Sequence, residues 1–274
     1  MSIMYDDTAL RTMAVSRMPR AAAAGADLTV LVLGGTSEGN DLSLALTNEP
    51  GVRCVSSLAG RTASPRLPQG EVRIGGFGGA EGLAAYLRLH RVGAVIDATH
   101  PFAATMGANA ERGCRQAGVP LLRLERPPWR PIAGDDWTEV DDWDEAADVI
   151  AKRARRVLLA LGRRELAPFA ALDHVWFLVR SVDPPNPTPR FAQAEFILDR
   201  GPFALAGERD LLAAHRIDAI VCRNSGGSAA DAKLLAAREL RVSVVMKRRP
   251  ARPDLPQAAS VSEAIAWVRS LRAG

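Results

Sequence analysis

The sequence predicts an α/β chain of two domains, each a parallel sheet flanked by helices, with a cleft between them. Three observations carry this. From residue 28 onward, short continuous apolar runs alternate with helix-spaced segments, the signature of βαβ units whose strands are buried on both faces. Glycine-rich turns stand at the ends of several of those runs. A proline-rich break, Arg126-Pro127-Pro128-Trp129-Arg130-Pro131, interrupts the series, because proline lacks an N–H and restricts its predecessor.

In chain order, residues 29–33 form the first strand, closed by Gly34-Gly35, and 38–47 the first helix. Residues 53–58 and 72–74 are the next strands. The helix over 81–90 places Leu83, Leu87 and His90 on one face. A strand at 94–98, a helix at 103–117 stopped by Gly118, and a strand at 121–124 complete the first half. After the break, an acidic stretch over 135–144 leads to strands at 157–161 and 175–179. A helix at 210–215, a strand at 219–222, a helix at 229–239, a strand at 242–246 and an amphipathic helix at 261–271 follow. The expected division is a first domain over 27–128 and a second over 129–274. Residues 1–26 are poorly patterned, lack a continuous apolar segment, and are expected to be a disordered extension.

Composition narrows the function classes. The apolar fraction is 47% and the charged fraction 24% of 274 residues, enough for a core and far from disordered or fibrous classes. No run approaches the ~20 apolar residues of a membrane helix. The net charge is +4, but the 35 basic residues, all arginine except Lys152, Lys233 and Lys247, are interleaved with 31 acids. That mixed pattern argues against a nucleic-acid partner and suits a polyanionic small molecule. Three distant cysteines (Cys54, Cys114, Cys222) and no CxxC argue against a zinc site or disulfide framework, so a reduced, cytoplasmic setting and no metal ligand set are expected.

The chemistry gathers at strand ends. The turn Gly34-Gly35-Thr36-Ser37-Glu38-Gly39 follows a buried strand and opens a helix, where free N–H groups and the helix dipole suit a phosphate. It departs from G-x-G-x-x-G by carrying Thr36 at the middle position. The second strand ends in Ser57-Leu58-Ala59-Gly60-Arg61-Thr62. It has no acid for a ribose 2′-hydroxyl and has an arginine whose fork suits a 2′-phosphate, which favours NADP over NAD. Gly75-Gly76-Phe77-Gly78-Gly79 spends conformational entropy that a close approach to a ligand would explain. Asp97, Thr99 and His100 end the fourth strand beside the expected switch point, with His100 a candidate proton donor; the alternative is that Asp97 or Thr99 caps the next helix. In the second half, Arg223-Asn224-Ser225-Gly226-Gly227 repeats the strand–turn–helix logic, with Lys233 a helical turn further on.

Taken together, these motifs, with Asp97-Ala98-Thr99-His100-Pro101-Phe102-Ala103 and Arg123-Leu124-Glu125-Arg126-Pro127 plus Trp129, resemble the precorrin-6A reductase family of cobalamin biosynthesis over about residues 28–250. The resemblance implies two Rossmann-like domains and NADPH/NADP+ as cofactor. The reaction would be reduction of one C=C bond in a tetrapyrrole bearing many carboxylates, either metal-free precorrin-6A or its cobalt complex. It implies that Gly34, Gly35, Thr36 and Ser37 hold the pyrophosphate, and that Gly60, Arg61 and Thr62 hold the 2′-phosphate. Gly76, Phe77, Gly78 and Gly79 would pass beside the cofactor. Asp97, Thr99 and His100 would form the catalytic edge, and Arg223, Asn224, Ser225 and Lys233 would face substrate. It also implies handover contacts with neighbouring pathway enzymes. Two rival readings from the residues alone are an NADP reductase of another polycarboxylate and a two-lobed small-molecule sensor.

Overall fold

The computed structural model describes residues 27–60, 67–162, 164–185, 187, 189–228 and 230–273. The chain forms two units, 27–125 with 252–273 as the first and 126–251 as the second.

The first unit holds β1 (Leu28–Leu33), α1 (Ser37–Thr47), β2 (Val52–Leu58), β3 (Glu71–Ile74), α2 (Gly79–Leu89), β4 (Ala94–Asp97), α3 (Ala104–Ala117) and β5 (Leu121–Leu124). To these the end of the chain adds β12 (Gln257–Ala258) and α7 (Val261–Ala273). The sheet runs β12-β5-β4-β1-β2-β3, and its pairings are parallel. Both faces are covered. Val30, Val32, Ala94 and Ile96 pack with Leu42 and Leu46 of α1 and with Ile265 and Val268 of α7. Leu31, Leu33, Val55 and Val95 pack with Leu83 and Leu87 of α2 and with Ala110 and Cys114 of α3. That double burial is why the strands read as unbroken apolar runs.

The second unit holds β6 (Trp137–Val140), α4 (Trp143–Arg153), β7 (Arg156–Ala160), a 3₁₀ turn at Ala167–Ala171, β8 (Trp176–Ser181), β9 (Ala194–Leu198), α5 (Leu205–Ala214), β10 (Ala219–Arg223), α6 (Ala232–Leu240) and β11 (Ser243–Lys247). Its sheet, β6-β11-β10-β7-β8-β9, is again parallel. Ile150 of α4 and Phe169 line one face, and Leu212 of α5 and Leu234 of α6 line the other.

The expected division shifts in two places. The boundary falls after Glu125 rather than after 128, and residues 252–273 belong to the first unit rather than the second. The physical reason is an exchange of edge strands. The strand that follows β5 in the chain, β6, joins the second sheet beside β11. The strand that follows β11, β12, joins the first sheet beside β5, pairing Gln257 with Arg123 and Ala258 with Leu124. The expected extension over 1–26 lies outside the described residues.

Arg252 anchors the returning segment. Its guanidinium bonds Asp97 at the end of β4 and Glu125 just past β5 (3.0 Å). Arg252 and Asp97 have side chains 5% and 0% exposed. α3 makes room for it with Gly107, where a Cβ would lie 2.7 Å from the guanidinium. The cysteines are buried and free, and burial pushes the Cys54 and Cys114 thiols up to about 12, so they behave as core residues rather than nucleophiles.

Removing one partner of a buried ion pair leaves an uncompensated charge, so Arg252→Met should cost about 3–5 kcal/mol of unfolding free energy. Urea denaturation followed by circular dichroism measures it, and a loss under about 1 kcal/mol would show the pair to be a surface-like contact.

Candidate functional site

In the first unit the strand order reverses between β1 and β4, and open α/β sheets bind ligands outside the carboxyl ends of strands at such a point. There Thr36 caps α1. Its Oγ1 accepts from the Gly39 N–H (3.0 Å) and donates to the Ala98 carbonyl (2.8 Å). The residue that replaces the middle glycine therefore turns its side chain to the sheet and ties the β1 turn to the β4 turn. The first intrahelical bond runs from Asn40 N–H to the Thr36 carbonyl, so the amides before it are the helix's N-terminal donors. Gly35 has φ of +119°, and a Cβ there would meet nothing within 4 Å. Gly39 does the opposite job: a Cβ on it would sit 3.3–3.4 Å from Thr36, Ala98 and Gly34, so its absence lets helix and strand approach.

The β4 turn carries the expected catalytic group, and the structure ties two of its three members down. Asp97 is 0% exposed. One carboxylate oxygen accepts from the Thr99 N–H (3.1 Å) and the Thr99 hydroxyl (2.6 Å), and the other accepts from Arg252. His100 is partly exposed, and its Nδ1 accepts from the Phe102 N–H (3.2 Å). In the neutral ring this assigns the proton to Nε2.

Gly60 has φ of +70°, and the Gly75 N–H donates to the Leu58 carbonyl (2.8 Å), joining the ends of β2 and β3. In the loop that follows, Gly75, Gly78 and Gly79 all take positive φ. Phe77 packs edge-on against Tyr86, with centroids 5.2 Å apart. Arg61 and Thr62 lie outside the described residues.

The second unit repeats the arrangement between β7 and β10. Arg223 ends β10, 3.6 Å from Glu165. The Asn224 side chain is 5% exposed and pairs with the Trp129 backbone, accepting its N–H (2.9 Å) and donating to its carbonyl (3.0 Å). The Ser225 carbonyl accepts from Arg126 (2.8 Å) and Arg249 (3.2 Å). Lys233 is buried, donates to the Ala230 carbonyl and lies 4.5 Å from the Trp129 ring centroid. Burial holds its ammonium below the ordinary lysine value. Arg223 and Ser225 thus edge the turn, while Asn224 and Lys233 brace it around Trp129. Sequence reasoning missed Arg126, Arg249 and Arg252 as site-shaping residues. Only Arg126 stood in a quoted motif, and the other two sit among dispersed arginines with no local signal.

Residues 29–269 match the family described as Precorrin-6x reductase CbiJ/CobK. The chain is 48% identical to the precorrin-6A reductase of Rhodococcus erythropolis over 243 residues, 88% of this chain and 98% of that one. It is 27% identical to the cobalt-precorrin-6A reductase of Priestia megaterium over 81% of this chain and 90% of the relative. The solved structure of a CobK precorrin-6A reductase superposes with a TM-score of 0.83 at 41% identity, covering 89% of this chain and 97% of that chain.

Thr36→Val would strand the Gly39 N–H and the Ala98 carbonyl, and should cost about 1–3 kcal/mol in chemical denaturation. Lys233 carries a pH signature. Its folded value lies below the unfolded one, so the unfolded chain binds more protons in the interval between them. Stability should therefore rise with pH through that interval up to 10.5. Lys233→Met should flatten that rise in a series of denaturation curves; an unchanged slope would contradict the burial effect.

Proposed function

The chain belongs to the precorrin-6x reductase family, and we propose that it reduces one C=C bond of metal-free precorrin-6A with NADPH. The observation that carries the cofactor reading is the β1 switch-point turn, an uncovered glycine step at a helix N-terminus with its one bulky side chain folded back onto the sheet. Such a turn fits a pyrophosphate. The metal-free branch is supported by relatives of that name at 48% identity against 27% for the cobalt-named one.

In this reading the amides of Gly34, Gly35, Thr36 and Ser37 receive the pyrophosphate. Gly60, Arg61 and Thr62 attend the 2′-phosphate, and Gly76, Phe77, Gly78 and Gly79 flank the adenosine side. When bound, NADPH supplies the hydride. His100 acts as the imidazolium, giving its Nε2 proton to the ring carbon next to the one reduced and returning to a neutral ring. Asp97 and Thr99 act as positioning residues: by fixing each other and binding Arg252 they set the turn from which His100 projects. Arg223 and Ser225 face substrate carboxylates, on a turn whose shape Asn224 and Lys233 maintain. The reaction takes place in the cytoplasm, and the product passes to the next enzyme acting on the macrocycle.

An anaerobic assay of NADPH absorbance, with precorrin-6A and its cobalt complex supplied separately, tests the reading. Consumption is expected with the metal-free ring, and consumption only with the cobalt complex would move the chain to the other branch. His100→Ala should lower kcat by about a hundredfold while NADPH affinity stays within about twofold. An unchanged kcat would transfer protonation to water.

A further inference from the structure

Among the described residues, the buried arginines of the first unit are each matched to an acid, with one exception. Arg53 pairs with Glu71 (2.6 Å), Arg252 with Asp97 and Glu125, and Arg123 lies 3.8 Å from Glu125. The exception is Arg73, next to last in β3 and partly buried. Its Nη1 donates to the Ser57 hydroxyl (3.0 Å) and the Gly75 carbonyl (2.6 Å), and its Nη2 to the Gly76 carbonyl (2.7 Å). The guanidinium lies 3.7 Å from the Phe77 ring centroid. Among the described residues no carboxylate bonds it. Burial lowers its pKa, which means the charged form is left partly uncompensated.

A guanidinium has five donors. Three are engaged by neutral oxygens, which leaves Nε–H and one hydrogen on Nη2. Among the described residues, the glycines of the adjoining loop have room around them. A Cβ on Gly75, Gly76, Gly78 or Gly79 would meet nothing within 4 Å. α2 begins there with Gly78 as its cap and no side-chain cap bond, so its terminal amides add to the positive field. The carboxyl ends of β2 and β3 lie to the adenosine side of the β1 turn in this strand order. No acid stands at the end of β2 to claim a ribose 2′-hydroxyl.

We infer that Arg73 is a specificity residue of the dinucleotide site, taking the phosphate that distinguishes NADPH from NADH with its remaining donors. The carbonyls of Gly75 and Gly76 hold its fork in place and Phe77 supports its plane. The phosphate is the missing counter-ion. This rests on the dinucleotide reading above.

Calorimetric titration of the full chain with NADPH, NADH, 2′,5′-ADP and 5′-AMP tests it. The unaltered protein should prefer each 2′-phosphorylated ligand. Arg73→Met should weaken NADPH and 2′,5′-ADP by about tenfold to a hundredfold, the range for a charged hydrogen-bonding partner, and leave NADH and 5′-AMP within about threefold. Arg73→Lys, which keeps the charge without the fork, should fall between. Its phosphorus resonance offers a second readout if the methionine variant folds poorly. The bound 2′-phosphate should titrate at lower pH in the unaltered protein than in Arg73→Lys. Equal weakening of NADPH and NADH would reduce Arg73 to a brace for the glycine loop and overturn the inference, as would unchanged affinities. If the unaltered protein binds neither nucleotide, the dinucleotide reading falls and the inference with it. If it prefers NADPH and Arg73→Met keeps that preference, only the inference falls.

Discussion

One buried cation holds the first unit together at the point where the chain leaves it and comes back. Glu125 is the last residue before the excursion through the second unit, and Arg252 the first after it. Their ion pair joins departure to return, and the Asp97 arm of the same guanidinium fixes the end of β4. Two carboxylates against one guanidinium cost solvation, which only close, hydrogen-bonded geometry offsets. Arg123 reinforces the arrangement by donating to the Pro253 carbonyl (2.8 Å). With the return so fixed, β12 can pair with β5 and α7 can cover the sheet face shared with α1. The turn bearing His100 depends on the same contact at one remove, through Asp97 and Thr99.

Much of this was legible in the sequence, for a physical reason. Strands such as Leu28–Leu33 and Ala94–Asp97 are buried on both faces, so their composition alone announces them. What escaped notice lies at the sheet edges. β6 buries only Val140 of its four residues, β9 has none of its five buried, and β12 is two residues long. α4 was hidden by its acidic first turn, which reads as loop until Asp142 is recognised as its cap. The exchange of edge strands has no local signature at all, because which sheet accepts β6 or β12 is decided by tertiary pairing.

The site divides in the same way. The glycine step at Gly34 and Gly35 and the missing acid after β2 are local facts and were readable. That Thr36 spans to Ala98, and that Asp97 is consumed by Thr99 and Arg252, follow from contacts 62 and 155 residues apart. Residue type suggested a catalytic carboxylate at Asp97, and the geometry gives it the work of holding a turn. Asn224 is a parallel case: its amide completes the hydrogen bonding of Trp129 as a neighbouring strand would.

The exchanged strands also set a timetable for the nascent chain. As the polypeptide emerges from the ribosome, residues 28–124 can assemble five strands of the first sheet, but the outer edge of β5 waits for Gln257 and Ala258. Until then an open parallel edge and an uncovered apolar face, later filled by Ile265 and Val268, stand exposed to other chains. The second sheet is drawn from one continuous stretch, β6 through β11, so it is complete as soon as its own last strand, Ser243–Lys247, has emerged. The unit made first is therefore the one finished last, and its vulnerable interval spans the whole synthesis of its companion.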